Sequence, residues 1–85
     1  SNELSNTSKF IIYPNPFTDI FNVQVNNYSD DSVIKIYDMN GRLIQSSTVS
    51  SDLTKIDMSH AAGGIYYVNY YDSHNSETQK IILKK

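Results

Sequence analysis

The chain reads as all-β, an immunoglobulin-like β-sandwich of about seven antiparallel strands. Three observations predict this class. Short segments rich in Val, Ile, Tyr, Phe and Thr recur along the 85 residues, separated by clusters of Asn, Asp, Ser and Gly. Within those segments apolar and polar residues alternate, as one half-buried sheet face requires, and helical periodicity is hard to find. The length suits a single domain, which buries only about 60% of its unfolded surface and leaves no room for a second lobe or a deep cleft.

The elements follow in order. A first strand is expected near Lys9 to Tyr13. Pro14-Asn15-Pro16 must stop or bend it, because two of those residues lack a backbone donor and each biases its predecessor toward an extended conformation. Phe17 is expected to tuck beneath that corner. A second strand, Ile20 to Asn26, alternates Phe21, Val23 and Val25 against Asn22 and Gln24, so the first set should be buried. A third, Val33 to Asp38, buries Ile34 and Ile36. The step Asp38-Met39-Asn40-Gly41 is the clearest turn in the chain, since Asn40 and Gly41 tolerate the positive φ of a tight hairpin. It should fix the register of the next strand, Arg42 to Val49. A strand near Thr54 to Asp57 precedes Gly64 to Tyr71, where Tyr66, Val68 and Tyr70 share the face assigned to the core and Ile65, Tyr67, Asn69 and Tyr71 share the other. Asp72 to Ser76 reads as a turn, and a last strand from Thr78 to Lys84 alternates Ile81 and Leu83 against Lys80, Ile82 and Lys84, with Lys85 at the end.

Composition excludes several functions. The formal net charge is −2 and the seven Lys and Arg are scattered, which argues against a nucleic-acid surface. With no cysteine, neither a disulfide framework nor a thiolate metal site is available. No apolar run approaches the roughly 20 residues that span a bilayer, so direct membrane insertion is not expected. No signal-peptide pattern opens the chain, and Asn2 to Ser8 reads as a linker after a possible tag remnant, Ser1-Asn2, giving a domain from 9 to 85. His60 and His74 lack a ligand-like partner, Asp30-Asp31 and Asp72 with Asn75 approach no calcium-loop spacing, and no serine sits in a nucleophile elbow. The chain is therefore read as having no catalytic residues, no metal site and no cofactor.

Gly64-Ile65-Tyr66 sets a residue with free backbone geometry before a tyrosine whose hydroxyl can reach a nearby carbonyl while its ring fills the core. This packing role stands beside direct recognition as the alternative. The lysines of Lys80-Ile81-Ile82-Leu83-Lys84-Lys85 suit an edge strand protected from unwanted pairing. They suit equally a terminal signal read by a receptor. Tyr67 and Tyr71, if outward, would form an aromatic pair able to stack on a sugar or a partner, as an immunoglobulin-like carbohydrate-binding or adhesion module would use them; the alternative is packing against a sheet edge or loop.

Taken together, Pro14-Asn15-Pro16-Phe17, the stretch Ile36-Tyr37-Asp38-Met39-Asn40-Gly41-Arg42-Leu43-Ile44, Gly64-Ile65-Tyr66 and the final Lys80 to Lys85 resemble the type A C-terminal sorting domain of the type IX secretion system, the Por secretion system C-terminal domain family of Bacteroidetes-type bacteria. The resemblance covers roughly Phe10 to Lys85. One departure is Ala61, where the family usually carries an aliphatic residue, most often leucine; the smaller side chain is expected to loosen packing there. The resemblance implies a sorting signal at the end of an N-terminal cargo, carried through the periplasm and outer membrane to the cell surface or medium. It implies as partners the type IX translocon and a surface sortase that cleaves in or upstream of Asn2 to Ser8. It also implies sorting-motif roles for Pro14, Asn15, Pro16, Gly64, Tyr66, Lys80, Ile82, Lys84 and Lys85. An exposed edge at the last strand would let a receptor add a strand there.

Overall fold

The computed structural model describes residues 10–85; Lys9 and the expected linker 1–8 lie outside them. Seven strands form, β1 (Phe10–Tyr13), β2 (Ile20–Val25), β3 (Val33–Tyr37), β4 (Leu43–Thr48), β5 (Leu53–Asp57), β6 (Gly64–Tyr71) and β7 (Ser76–Leu83). They make a three-stranded sheet in the order β1-β2-β5 and a four-stranded sheet in the order β4-β3-β6-β7. Every strand pairing is antiparallel.

Alternation dictates which face is buried. Phe21, Val23 and Val25 of β2, Ile34 and Ile36 of β3, Tyr66, Val68 and Tyr70 of β6, and Ile81 and Leu83 of β7 all enter one core. Phe10, Phe17, Val49, Ile56 and Met58 complete it. Each such side chain removed from water contributes about 1.5–3 kcal/mol, the driving force that brings the two inner faces together.

Three local readings need correction. The last strand begins at Ser76, which pairs with Tyr71 instead of belonging to the preceding turn. Asp72 makes that turn short by accepting the backbone N–H groups of His74 and Asn75 on Oδ1, at 2.8 and 2.7 Å. In the β3–β4 hairpin Gly41 takes positive φ, 82°, whereas Asn40 does not; the asparagine that does is Asn27, at 55°. The hairpin register is also interrupted, because Ile36 faces Gln45 while Tyr37 faces Leu43, leaving Ile44 as the extra residue of a β-bulge.

The antiparallel register gives the sandwich two unlike poles. One gathers the β1–β2, β3–β4 and β5–β6 connections and the residues after β7; the other gathers the remaining connections and the entry of the chain at Phe10. The entry pole is organised by Ser32, the buried polar residue of the core. Its hydroxyl lies 2.9 Å from that of Tyr70, which donates to Asp72 Oδ2 at 2.7 Å. Ser32 Oγ also accepts the Ser29 N–H, so the burial of these hydroxyls leaves none unpaired.

The Tyr70 hydroxyl and the N–H of His74 hold the Asp72 carboxyl down to about 2. A carboxylate depressed in the folded state stabilises it above the ordinary value, 3.8, and that contribution disappears as pH falls through about 2. Titration of the Asp72 side-chain carbon by NMR should therefore give a midpoint near 2. Tyr70→Phe should move that midpoint upward, and Asp72→Asn should flatten the fall in denaturation midpoint between about pH 4 and pH 2. An Asp72 midpoint unchanged in Tyr70→Phe would remove the hydroxyl as its cause.

Candidate functional site: a motif pole

Pro14-Asn15-Pro16-Phe17 leaves the three-stranded sheet and runs alongside β7. Asn15, fixed between two prolines, points its amide at that strand: Nδ2 donates to Lys80 O at 3.3 Å and Oδ1 accepts the Ile82 N–H at 3.1 Å. Phe17 then continues the pairing through its backbone. Its N–H donates to Ile82 O at 2.9 Å and its carbonyl accepts the Lys84 N–H at 2.7 Å, a parallel bridge centred on Leu83. The Phe17 ring turns inward, buried, and meets Phe21 edge to face with centroids 4.8 Å apart.

This arrangement corrects the expectation of a bare last strand. Although β7 ends the four-stranded sheet, its outward backbone groups from Lys80 O to Lys84 N are occupied by Asn15 and Phe17. No receptor strand can pair along that stretch unless Pro14 to Phe17 leave it. What remains accessible is the side chains of Lys80, Ile82 and Lys84, all exposed.

Lys85 is held from the other side. Its ammonium donates to the carbonyls of Ser59 and Ala61, both at 2.6 Å, joining the chain's last residue to the β5–β6 connection. The same connection approaches the backbone closely: a Cβ at Gly63 would lie 3.3 Å from Leu83 O and 3.4 Å from Lys85 Cβ. Gly64, at φ 147°, has a backbone that favours glycine. Two residues on, the Tyr66 hydroxyl donates to Ala62 O at 2.6 Å while its ring is buried, a tyrosine corner. Ala61 packs against the core and is fixed by its N–H bond to Met58 O at 2.9 Å and by the Lys85 contact to its carbonyl. Backbone and lysine contacts thus anchor the position at which the side chain is small.

The turn Asp38, Asn40 and Gly41 sits at this pole too. Asp38 Oδ1 accepts the N–H groups of Asn40 and Arg42, each at 2.9 Å, and Oδ2 lies 3.4 Å from Arg42 Nε. The Arg42 N–H first, with that of Asn40, holds the Asp38 carboxyl below its ordinary range. Between this turn and Gly63 to Tyr66 lies an open depression of about 240 Å³, with Met39 two-thirds exposed at its rim.

All the expected motif positions therefore fall at one pole, and Pro14 to Phe17 is bonded directly to the terminal strand. The burial of Phe17 beneath the corner was expected, whereas its backbone pairing with β7, the close approach at Gly63 and Asn15's double contact were not assigned from sequence. The signal available was an amide clamped between prolines and the paired glycines Gly63-Gly64 ahead of Ile65-Tyr66. Tyr67 and Tyr71 do face outward, with Lys35 Nζ 5.4 Å above the Tyr71 ring. His60 and His74 are exposed in separate connections, and the described residues contain no group of three His, Cys, Asp or Glu suited to a metal ion.

The class the fold defines is an immunoglobulin-like sandwich, with its distinctive strings assembled at one pole. Its family follows: residues 11–84 match the model of the secretion system C-terminal sorting domain, and the chain belongs to that family, the sorting domain of type IX secretion. It is a C-terminal sorting signal of an exported protein, destined for the cell surface or the medium, in a family not known to be enzymatic. Among solved structures it is similar to PorZ, an essential bacterial surface component of the type-IX secretion system of Porphyromonas gingivalis, with 24% identity and a TM-score of 0.66. That likeness covers 89% of this chain and 11% of PorZ, and it shows the fold. No curated protein matches.

The pole predicts a graded response to mutation. Phe17→Ala should cost about 3–5 kcal/mol, enough to unfold much of a domain this small. Asn15→Ala should cost about 1 kcal/mol and accelerate hydrogen exchange of the Ile82 amide while the Val68 amide in the centre of β6 keeps its protection. Equal loss of protection at both amides would mean that Asn15 supports the whole fold and not the edge.

Proposed function

We propose that the type IX translocon reads the assembled motif pole as a surface: the side chains of Lys80, Ile82 and Lys84, set against the corner Pro14-Asn15-Pro16 and the Gly64–Tyr66 strand start. The supporting observation is that Pro14 to Phe17 and Lys80 to Lys84, remote in sequence, are hydrogen-bonded into one edge. Lys85 binds a third segment, Ser59 to Ala61, to it. The alternating exposed Lys80, Ile82 and Lys84 give a partner two cationic contacts flanking an apolar one. Since Asn15 and Phe17 hold the backbone between them, the partner reads side chains and not a free strand edge.

The geometry also suits a cargo-bearing tag. A preceding segment enters at Phe10, at the pole opposite the motifs, so an attached cargo leaves the recognition surface open. On this reading cargo and tag cross the periplasm together and pass the outer membrane through the translocon. A surface sortase then cuts in or upstream of Asn2 to Ser8, outside the described residues, and the domain itself performs no chemistry.

The test is a periplasm-directed fluorescent reporter fused to residues Asn2 to Lys85 in a Bacteroidetes host with and without a working translocon. Reporter should reach the surface or medium in the first strain alone. Lys80→Ala with Lys84→Ala should cut that export severalfold while the purified domain keeps its melting temperature, since both side chains are exposed. Undiminished export of a folded double variant would refute the lysine contacts; export without the translocon would refute the sorting route.

A further inference from the structure

Two sheets present four edge strands, β1 and β5 in one and β4 and β7 in the other. Three are protected. The C-terminal half of the β7 edge, Lys80 O to Lys84 N, is occupied by Asn15 and Phe17, and the half before it carries the charged Glu77 and Lys80. The four-residue β1 has its Phe10 carbonyl capped by Gln79 Nε2 at 2.8 Å and is followed at once by Pro14. Along β5, Ser51 Oγ takes the Leu53 carbonyl at 2.7 Å, and the charged Lys55 and Asp57 stand where a new strand would approach.

The remaining edge is β4, Leu-Ile-Gln-Ser-Ser-Thr, six residues without a charge or a proline. Val49 donates its N–H to Ser32 O, which fixes the phase of the β3–β4 ladder. Ser47 and Gln45 therefore bond to β3, and Ser46 and Thr48 turn their N–H and C=O groups away from it. Both are exposed. On the same strand lies Gln45 Oε1, a buried side-chain oxygen without a hydrogen-bond partner. Long uncharged edges of this kind are templates for strand pairing.

We infer that β4 is a self-association edge, pairing antiparallel with β4 of a second copy of this chain about a two-fold axis at Ser47. In that register Ser46 of each copy lies opposite Thr48 of the other, and their outward groups complete four backbone hydrogen bonds without using the bulged Ile44. The strand suits its own copy because it is uncharged throughout, so no like charges meet across the axis. The strand is at the opposite end of its sheet from β7, which carries the motif edge. Such pairing buries less surface than a permanent dimer needs, so it is a weak, concentration-dependent association. It pairs the uncharged edge of the described sandwich and leaves both motif poles free, whatever those poles bind.

Sedimentation equilibrium of the intact chain tests this. The average mass should rise from 9.7 kDa toward twice that value as concentration increases from about 10 µM to about 1 mM, the range such a small patch supports. Exchange at the Ser46 and Thr48 amides should slow in parallel. Ser46→Pro removes an outward donor without touching the β3 ladder, and the double variant Ser46→Lys, Thr48→Lys sets ammonium groups opposite one another. Both should remain monomeric at about 1 mM with their melting temperatures retained. A parent chain monomeric throughout, or association undiminished in both folded variants, would overturn the inference. A monomeric parent whose Ser46→Pro variant loses reporter export would also overturn it, and would give the edge to a strand of the export machinery instead.

Discussion

The parallel bridge between Phe17 and Leu83 is the contact on which the rest of this sandwich depends. Packing two sheets face to face buries their apolar faces but leaves strand edges with unpaired backbone groups. Here the connection leaving β1 is laid along β7, so one residue performs two tasks. The Phe17 backbone closes the edge with bonds to Ile82 and Lys84, and its ring enters the core beside Phe21. The prolines on either side of Asn15 restrict the approach, and the Asn15 amide extends the closure to Lys80. Hydrophobic packing alone would hold the sheets together without selecting this seam. The hydrogen bonds do select it, since a shifted chain would leave those groups unpaired.

From that seam follows the polarity of the molecule. Once Phe17 lies against Leu83, the β5–β6 connection is brought over the end of β7, close enough for Gly63 to approach Leu83 and for Lys85 to reach two carbonyls. The entry pole is built differently, around Ser32, Tyr70 and Asp72. There a charged acceptor holds a tyrosine hydroxyl, so that pole is sensitive to acid. At the motif pole the charged acceptor is Asp38, which takes the N–H groups of Asn40 and Arg42, while Lys85 donates to neutral carbonyls.

Much of this was legible in sequence because strands declare their own faces. Phe21, Val23 and Val25, or Tyr66, Val68 and Tyr70, announce burial by period alone, and the structure places all six in the core. The reach of the Tyr66 hydroxyl to a carbonyl was legible too, because the partner, Ala62, is local. The edge closure was not legible: Asn15 and Ile82 are separated by 67 residues, and no alternation pattern reports which connection crosses which edge. A lysine-rich last strand looks like an edge defended by charge alone, whereas β7 is also paired. The start of β7 was misread for a smaller reason. Ser76 looks like turn sequence, but Asp72 completes the reversal early and leaves Ser76 opposite Tyr71.

A signal composed of side chains from separate segments differs physically from a linear tag. Lys80 and Ile82 acquire their projection from pairing with β6, Lys84 from its N–H bond to Phe17 O, and the Pro14 corner its place from Phe17's burial. An unfolded chain carries the same residues without that arrangement. On the proposed reading, a receptor that binds the assembled pole favours the folded domain by mass action, and its apparent affinity falls with the folded fraction. For a domain of modest stability that coupling is substantial: about 1.4 kcal/mol lost from a marginally folded variant changes the folded-to-unfolded ratio tenfold. Mutations in the buried seam and mutations in the exposed lysines then reduce recognition by different routes. The former change how much of the signal exists, and the latter change what it says.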